Sequence, residues 1–380
     1  MIKRIIEERV ESYLKSDSNK ILFVWGPRRS GKTTLLKKYS KELGVPVFNF
    51  DLQSHRERFL PDLSVLQKIV DEHSIILIDE VQNYPESSLA LKILFDEFNV
   101  KVIATGSSEL RQTSKDFDSL AGRFTQIYCL PLSISEVELS EEIKAYERKS
   151  ILDKYRNQGQ IFGMYPEVYL ADGGEVEKTD LLQNLLDTYV LKDVIDIYSL
   201  KNAKLAKDIL TKIALQIGSE VSVREIASSL QANVATVSSY IEIFIKNYIL
   251  IPVLSFKTNR RKSVSELRKL YFYDLGIRNI LVRDFRPLDL RPDKGGVFEN
   301  FVVSEIEKKR RVTGANFSVY FYREYGGKEV DLVLEDYHKK YMCLEIKTKK
   351  IKAQEIFPLP HKMEVVTSDN YFEKIEKLFE

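Results

Sequence analysis

The feature that most limits what this chain can fold into is Gly26-Pro27-Arg28-Arg29-Ser30-Gly31-Lys32-Thr33, which fits the pattern G-x-x-x-x-G-K-[ST]. It follows the apolar run Ile21–Trp25 and opens a helical stretch from Lys32 to Leu43. A strand, a glycine loop and a helix in that order form a cradle for phosphate. The glycines let backbone N–H groups from about Arg29 to Thr33 turn inward, and the helix N-terminus adds a dipole that favours anions. Lys32 is expected to reach the β- and γ-phosphates and the Thr33 hydroxyl to coordinate Mg²⁺. The expected ligand is ATP with Mg, held by Gly26, Pro27, Arg28, Arg29, Ser30, Gly31, Lys32, Thr33 and Thr34.

The second half of such a site is Ile75-Ile76-Leu77-Ile78-Asp79-Glu80. Four apolar residues bury the strand, and Asp79 emerges at its C-terminal end, where ligands of parallel sheets sit. Asp79 is expected to hold Mg²⁺ and Glu80 to act as the base that orients water. A further strand ends Thr105-Gly106-Ser107-Ser108; Thr105 and Ser107 either sense the γ-phosphate or merely cap the strand. Val45–Phe50 and Val100–Thr105 complete a series of strands separated by helical stretches. That order predicts a parallel sheet with helices on both faces.

With these residues in view, the chain resembles the AAA-type ATPases of archaea and bacteria that carry a C-terminal nuclease-like domain of unknown function. The resemblance rests on residues 26–34, Ile-Asp-Glu-Val-Gln at 78–82, Thr-Gly-Ser-Ser at 105–108 and Leu-Ala-Gly-Arg at 120–123. It continues through Phe-Glu-Asn-Phe-Val at 298–302 and Glu-Val-Asp at 329–331 to Glu-Ile-Lys at 345–347, and so covers nearly the whole chain. It implies that Arg123 senses or stabilises the γ-phosphate, in its own subunit or in a neighbouring one. The alternative is a surface arginine paired with a local acid.

The middle of the chain changes rhythm. Residues 133–219 are rich in Glu, Lys and Leu and read as helical. Residues 221–256 then read strand, helix, turn, helix, strand, an order that resembles a winged helix-turn-helix. The second helix would turn Thr236, Ser238 and Ser239 outward and Val237, Ile241 and Ile245 inward. DNA readers put this helix in the major groove, armed with Arg, Lys, Asn or Gln; here only Asn233 and Lys246 qualify. The basic run Lys257, Arg260, Arg261 and Lys262 offers phosphate contacts from a wing or linker. DNA contact and a purely coupling role both remain open.

Toward the C-terminus, strands over 329–335 and 341–347 with a turn near His338 would set Asp331 across from Glu345. Period-two alternation brings Lys347 to the same face, with Glu299 arriving from a preceding helix. Two carboxylates and a lysine suit a metal-dependent phosphodiesterase, the acids Asp331 and Glu345 holding the ion. The arrangement looks like the PD-(D/E)xK nuclease fold; the bland alternative is an exposed Glu345–Lys347 ion pair.

The fold class expected is α/β. It comprises a P-loop ATPase core on a parallel sheet (1–135), a helical lid (136–219), a winged helix (220–257) and a nuclease-like α/β domain (258–380). From residue 255 onward there are 26 Lys/Arg against 20 Asp/Glu, while the whole chain carries a net charge of +2. A basic C-terminal third hints at a polyanion such as DNA. Two distant cysteines, Cys129 and Cys343, argue against a disulfide scaffold. The charged N-terminus lacks a signal-peptide core and no run suits a membrane helix, so a cytoplasmic protein is expected, as a monomer or an oligomer. The functional expectation is an ATPase with a DNA-associated, Mg-dependent nuclease domain. Its rival is an ATP-dependent signalling switch that binds a protein partner through an inactive nuclease-like domain.

Overall fold

The computed structural model describes residues 2–107, 120–140, 143–193, 202–257, 268–324, 326–349 and 355–380. Contacts divide the chain into two units, Lys3–Leu130 and Pro131–Glu380.

In the first unit the alternation of apolar and amphipathic runs gives α1 (Ile6–Lys15), β1 (Ile21–Trp25), α2 (Lys32–Leu43), β2 (Val47–Asn49), α3 (Leu63–Glu72) and β3 (Ile75–Asp79). It continues with α4 (Ser87–Glu97), β4 (Lys101–Gly106) and β5 (Phe124–Tyr128). The strands form one sheet in the order β2-β3-β4-β1-β5, and every pair is parallel. A parallel sheet is covered on both faces, which is why β1 is apolar throughout and buried at all five positions. β5 carries no such signature. It is an edge strand with Phe124, Thr125 and Gln126 partly or fully exposed, so its apolar pattern is too weak to announce a strand.

The second unit begins with helices, including α5 (Arg148–Phe162), α6 (Gly174–Leu185) and α7 (Ala203–Leu215). Next come β6 (Glu220–Val221), α8 (Val223–Ser229), α9 (Val234–Lys246), β7 (Leu250–Ser255), β8 (Arg268–Phe272), α10 (Leu275–Val282) and α11 (Lys294–Thr313). It ends with β9 (Phe317–Arg323), β10 (Glu329–Asp336), β11 (Tyr341–Ile346), β12 (His361–Val366) and α12 (Tyr371–Glu376). Its sheet is mixed, in the order β12-β11-β10-β9-β7-β8-β6. β7 is the joint, antiparallel to β8 on one side and parallel to β9 on the other. The expected boundary at 257/258 therefore falls between strands of a single sheet. Arg260, Arg261 and Lys262 of the basic run lie outside the described residues.

β6, α8, α9, β7 and β8 follow one another with β8 paired between β6 and β7. Val237 and Ile241 are buried in one core with Ile213, Leu250 and Phe272, and Ile245 packs against it. That is the inward face that helical periodicity predicts. Ser239 is exposed, while Thr236 and Ser238 are half-buried. Asn233 caps α9, its side-chain oxygen accepting the Ala235 N–H at 2.8 Å.

Candidate functional site

The phosphate loop leaves the C-terminal end of β1 and enters α2. Two positions fix its shape. Gly31 has φ of 103°, open to glycine but strained for other residues. Gly26 lies so close to β5 that an added Cβ would stand 1.9 Å from the Cys129 carbonyl oxygen. The loop is also gripped from below. The buried Arg4 donates from Nη1 to the Ser30 carbonyl at 2.7 Å and from Nη2 to the Leu130 carbonyl at 2.6 Å. The Ser30 hydroxyl closes the loop on Pro27 O at 2.8 Å. Lys32 folds back over the loop, its Nζ donating to the carbonyls of Gly26 (2.9 Å) and Pro27 (2.8 Å). These are neutral acceptors that a phosphate can replace with a stronger, charge-assisted bond.

β3 delivers Asp79 beside the loop, because β3 and β1 flank β4 and all three run the same way. The Asp79 carboxylate is buried and takes two hydroxyls. Thr33 Oγ1 donates to Oδ2 at 2.7 Å, and Thr105 Oγ1 donates to Oδ1. Thr33, Asp79 and Thr105 thus converge from three elements. The next residue, Glu80, turns with φ of 54° and accepts from the Gln82 amide. Gln82 in turn accepts the Ser107 N–H at 3.4 Å. The Ser107 hydroxyl is buried with no hydrogen-bond partner among the described residues, a group that calls for a ligand or water. A hydroxyl beside a carboxylate at the mouth of a glycine cradle is a donor set suited to Mg²⁺ with a nucleotide. Arg4 has no sequence signal of its own, because it acts through distant backbone groups; Gln82 closes the Ile-Asp-Glu-Val-Gln run, and its link between Glu80 and the Ser107 N–H emerges only in the fold.

Of the two readings of Arg123, the structure shows the surface arginine paired with a local acid. The Ile21 N–H donates to the Arg123 carbonyl, and Ile21 registers with Phe124 at the start of β5. The phosphate loop follows Trp25, at the other end of β1. Five residues at ~3.3 Å each put about 16 Å between them, so Arg123 cannot reach a phosphate in its own loop. Its guanidinium instead clasps Asp96, at 2.7 Å from Nε and 3.1 Å from Nη2.

The second site gathers on the sheet of the C-terminal unit. β10 and β11 are antiparallel with Leu332 opposite Leu344, so Asp331 faces Glu345. Asp331 Oδ2 accepts the Ile346 N–H at 2.7 Å and the Lys347 ammonium at 2.8 Å; Lys347 also lies 3.0 Å from Glu345 Oε1. The expected triplet is therefore assembled on one face. The register between β9 and β10 slips between Val330 and Val333, a bulge beside Asp331 of the kind that re-aims a side chain. Both faces are covered, for β10 is buried from Val330 to Glu335.

Glu299 joins from α11. Asn300 anchors that helix: its amide donates to the Phe272 carbonyl and its oxygen accepts the Phe272 N–H, at 2.8 and 2.7 Å. It supplies β8 with the bonds a further strand would make. One residue earlier, Glu299 meets Lys269 at 3.0 Å and the Tyr271 hydroxyl. Lys269 also pairs with Glu329. Ligand atoms of Glu299, Glu329 and Asp331 all lie within 4.8 Å of one another. Glu329 shares a face with Asp331 by period-two alternation, so this signal was present in the sequence. Lys269 and Tyr271 were hidden because β8 sits at the end of a basic stretch that reads as linker.

Like charges under burial leave their mark. Burial and the opposing Asp331 raise the Glu345 pKa, although Lys347 pulls the other way. Burial also raises that of Glu299, helped by Asp331 and opposed by Lys269 and Tyr271. Burial alone would lower the pKa of Lys269, but Glu299 and Glu329 outweigh it and hold the ammonium charged.

Comparison with known proteins matches three stretches of the chain. Residues 18–138 match a family model described as AAA domain. Residues 154–289 and 294–364 match two described as domains of unknown function, DUF8612 and DUF4143. The chain is 27% identical over 376 residues to the uncharacterized protein MJ1544 of Methanocaldococcus jannaschii, covering 93% of this chain and 81% of that one. It is 24% identical over 291 residues to an uncharacterized protein of Haemophilus influenzae, covering 70% and 72%. Similar solved structures include the RuvB Holliday junction branch migration motor of Thermotoga maritima, at 13% identity and TM-score 0.30, covering 65% of this chain and 88% of that one. The ORC1 protein of Aeropyrum pernix in complex with DNA matches at 14% identity and TM-score 0.26, covering 74% and 91%. At such TM-scores no residue correspondence is drawn from them. The phosphate loop, the Asp79 carboxylate with its two threonines, and the match to an AAA domain all fall within residues 18–138, so this part of the chain is similar to an AAA domain and carries the side chains of a P-loop nucleotide site.

Proposed function

We propose that the chain is a nucleotide-controlled, DNA-associated enzyme. Its N-terminal unit binds and hydrolyses Mg-ATP, and its C-terminal sheet is a PD-(D/E)xK-like phosphodiesterase domain. The observation that carries the first half is the convergence of the Thr33 and Thr105 hydroxyls on Asp79 beside the loop. Thr33 and Asp79 would hold Mg²⁺, which when bound neutralises phosphate charge. Lys32 would exchange its two carbonyl partners for phosphate oxygens. Glu80 would leave Gln82 and orient the attacking water.

The second half rests on Asp331, Glu345 and Lys347 meeting on one face. Asp331 and Glu345 would hold a divalent ion, which when bound polarises a phosphodiester. Lys347 would turn from the carboxylates to the substrate. The strand-helix-helix-strand-strand order of β6 to β8 supports a winged-helix reading and hence DNA as the partner. Arg123 could serve only the nucleotide of a neighbouring copy; mass in solution with and without ATP tests whether copies assemble. No described helix is long and apolar enough to cross a membrane.

One observation favours the rival, an ATP-dependent switch with an inactive C-terminal domain: α9 offers few cations for DNA, and its exposed Glu242 pairs with Arg268 at 2.6 Å. A nuclease assay with Mg²⁺ and Mn²⁺ separates the two. Cleavage by the wild type that Asp331→Ala abolishes supports the phosphodiesterase. Absence of cleavage on single- and double-stranded DNA, with ATP turnover intact, favours the switch.

A further inference from the structure

Phosphodiesterases that gather several carboxylates hold one divalent ion or two, and the number decides how the leaving oxygen is stabilised. Four carboxylates gather here: Glu299, Glu329, Asp331 and Glu345. Two ammonium groups are set among them, and the two differ in kind. Lys347 is 39% exposed and touches Asp331 and Glu345 from the open side. Lys269 is 2% exposed and bridges Glu299 and Glu329. β8 places it there, registered with Glu220 of β6 and Val253 of β7. Its ammonium lies over the Phe321 ring, with Nζ 5.6 Å from the centroid.

A buried lysine is tolerated only when its charge is compensated, and buried carboxylates need the same. Lys269 and the Glu299–Glu329 pair meet both needs at once. Tyr271 completes the shell by donating to the same Glu299 oxygen. The geometry points to Lys269 as the resident cation of this cluster, filling with its ammonium the place a second divalent ion would take between Glu299 and Glu329. The C-terminal site then works with one divalent ion, on Asp331 and Glu345. This rests on the phosphodiesterase reading for the first ion but not for the lysine. With Lys269 set against Glu299 and Glu329 and Lys347 turned to substrate, Asp331 and Glu345 keep two negative charges between them, which suits a single divalent ion. Arg323, 3.7 Å from Glu329 and shared with Glu220, adds only a half-exposed charge at the edge.

The test is the stoichiometry of Mn²⁺ binding to the full chain, by calorimetry without nucleotide. Lys269→Met keeps the stem and removes the charge. It should bind one more Mn²⁺ per chain than the wild type, and adding Glu329→Gln should remove that extra ion. Mn²⁺ should also raise the thermal midpoint of Lys269→Met more than that of the wild type. Unchanged stoichiometry in a Lys269→Met protein that retains its ATP turnover and helical circular dichroism overturns the proposal. Should that variant not fold, Glu329→Gln alone decides. If Lys269 holds the place, Glu329 is no metal ligand and wild-type Mn²⁺ binding persists; loss of a bound ion overturns it. A wild type that binds no ion through Asp331 defeats the phosphodiesterase reading instead, while a gain in Lys269→Met still supports the role of Lys269.

Discussion

Gly26→Ala offers a sharp test of the phosphate loop because its effect can be worked from distances. The added Cβ would lie 1.9 Å from the Cys129 carbonyl oxygen and 2.8 Å from its carbon. Ordinary contact begins near 3.4 Å, so something must move by about 1.5 Å. The obstacle is backbone, and the Cys129 N–H is tied to the Trp25 carbonyl at 2.7 Å as an extension of the β1–β5 ladder. The strand cannot retreat without breaking that bond, so the loop yields. Overpacking of this kind costs about 1–3 kcal/mol, and the upper half applies because no rotamer can relieve it. For a unit of this size that lowers the melting midpoint by roughly 6–12 °C. Misplacing a catalytic loop by ~1 Å costs on the order of 100-fold in turnover. The assay pairs thermal unfolding with ATP hydrolysis. Gly44→Ala is the control: φ there is 68° with nothing within 4 Å of a Cβ, so it should cost about 1 kcal/mol in strain and leave turnover unchanged. A Gly26→Ala protein with wild-type midpoint and turnover would refute the reasoning.

Other outcomes follow from the same geometry. Lys32→Ala should abolish hydrolysis and weaken nucleotide binding, since the phosphates lose their main point charge; wild-type turnover in that variant would remove Lys32 from the site. Glu80→Gln keeps size and hydrogen bonding but removes the base, so ATP should still bind while turnover falls at least ~100-fold; normal hydrolysis would place the base elsewhere. Glu345 has its pKa raised above the ordinary 4.5 by burial and Asp331. In the metal-free protein the folded chain keeps a proton that the unfolded chain has released, so this group costs stability as pH rises from 4.5 through its folded value. Glu345→Gln should therefore gain on the wild type across that window, and urea unfolding from about pH 4 to about pH 8 should show it; a difference that does not change with pH would sink the argument.

The parts of the fold that could be read from sequence are those where a single physical demand fixes the pattern. β1 and β3 are internal strands of a parallel sheet, so β1 is apolar throughout and β3 is apolar up to Asp79. α2 starts and stops where glycines allow it, at Gly31 and Gly44. Asp331, Glu345 and Lys347 could be placed on one face because strand alternation and one turn suffice. What escaped was set by distant partners. β5 is an edge strand with polar positions, and β12 pairs only with β11 at the sheet's margin. β8 follows a basic run, and its strand character comes from lying between β6 and β7. Missing β8 meant missing Lys269 and Tyr271, and with them the balance of charge in the carboxylate cluster. The motif located Arg123 in sequence, but only the parallel register of β5 with β1 shows that it lies at the end of the strand away from its own phosphate loop, beside Asp96.

Three lysines stand beside candidate chemistry, and their partners rank how readily each can be turned to a ligand. Lys32 is buried but held by the neutral carbonyls of Gly26 and Pro27; an arriving phosphate offers a stronger, charge-assisted bond, so exchange runs downhill. Lys347 is held by two carboxylates but open to solvent. Asp331 and Glu345 would hold a divalent ion, which would take over their charge and leave the ammonium free at little cost, because water can receive it. Lys269 is held by two carboxylates and closed off. To leave, it would have to carry its charge out of a buried site and strand Glu299 and Glu329 behind it, a loss of several kcal/mol. Lys32 and Lys347 are thus poised to change partners, whereas Lys269 is fixed. A cation that cannot leave is one that no second metal ion displaces, and it is the combination of charged partners and burial that separates the permanent counter-ion Lys269 from Lys32, whose partners are neutral, and from Lys347, which is open to solvent.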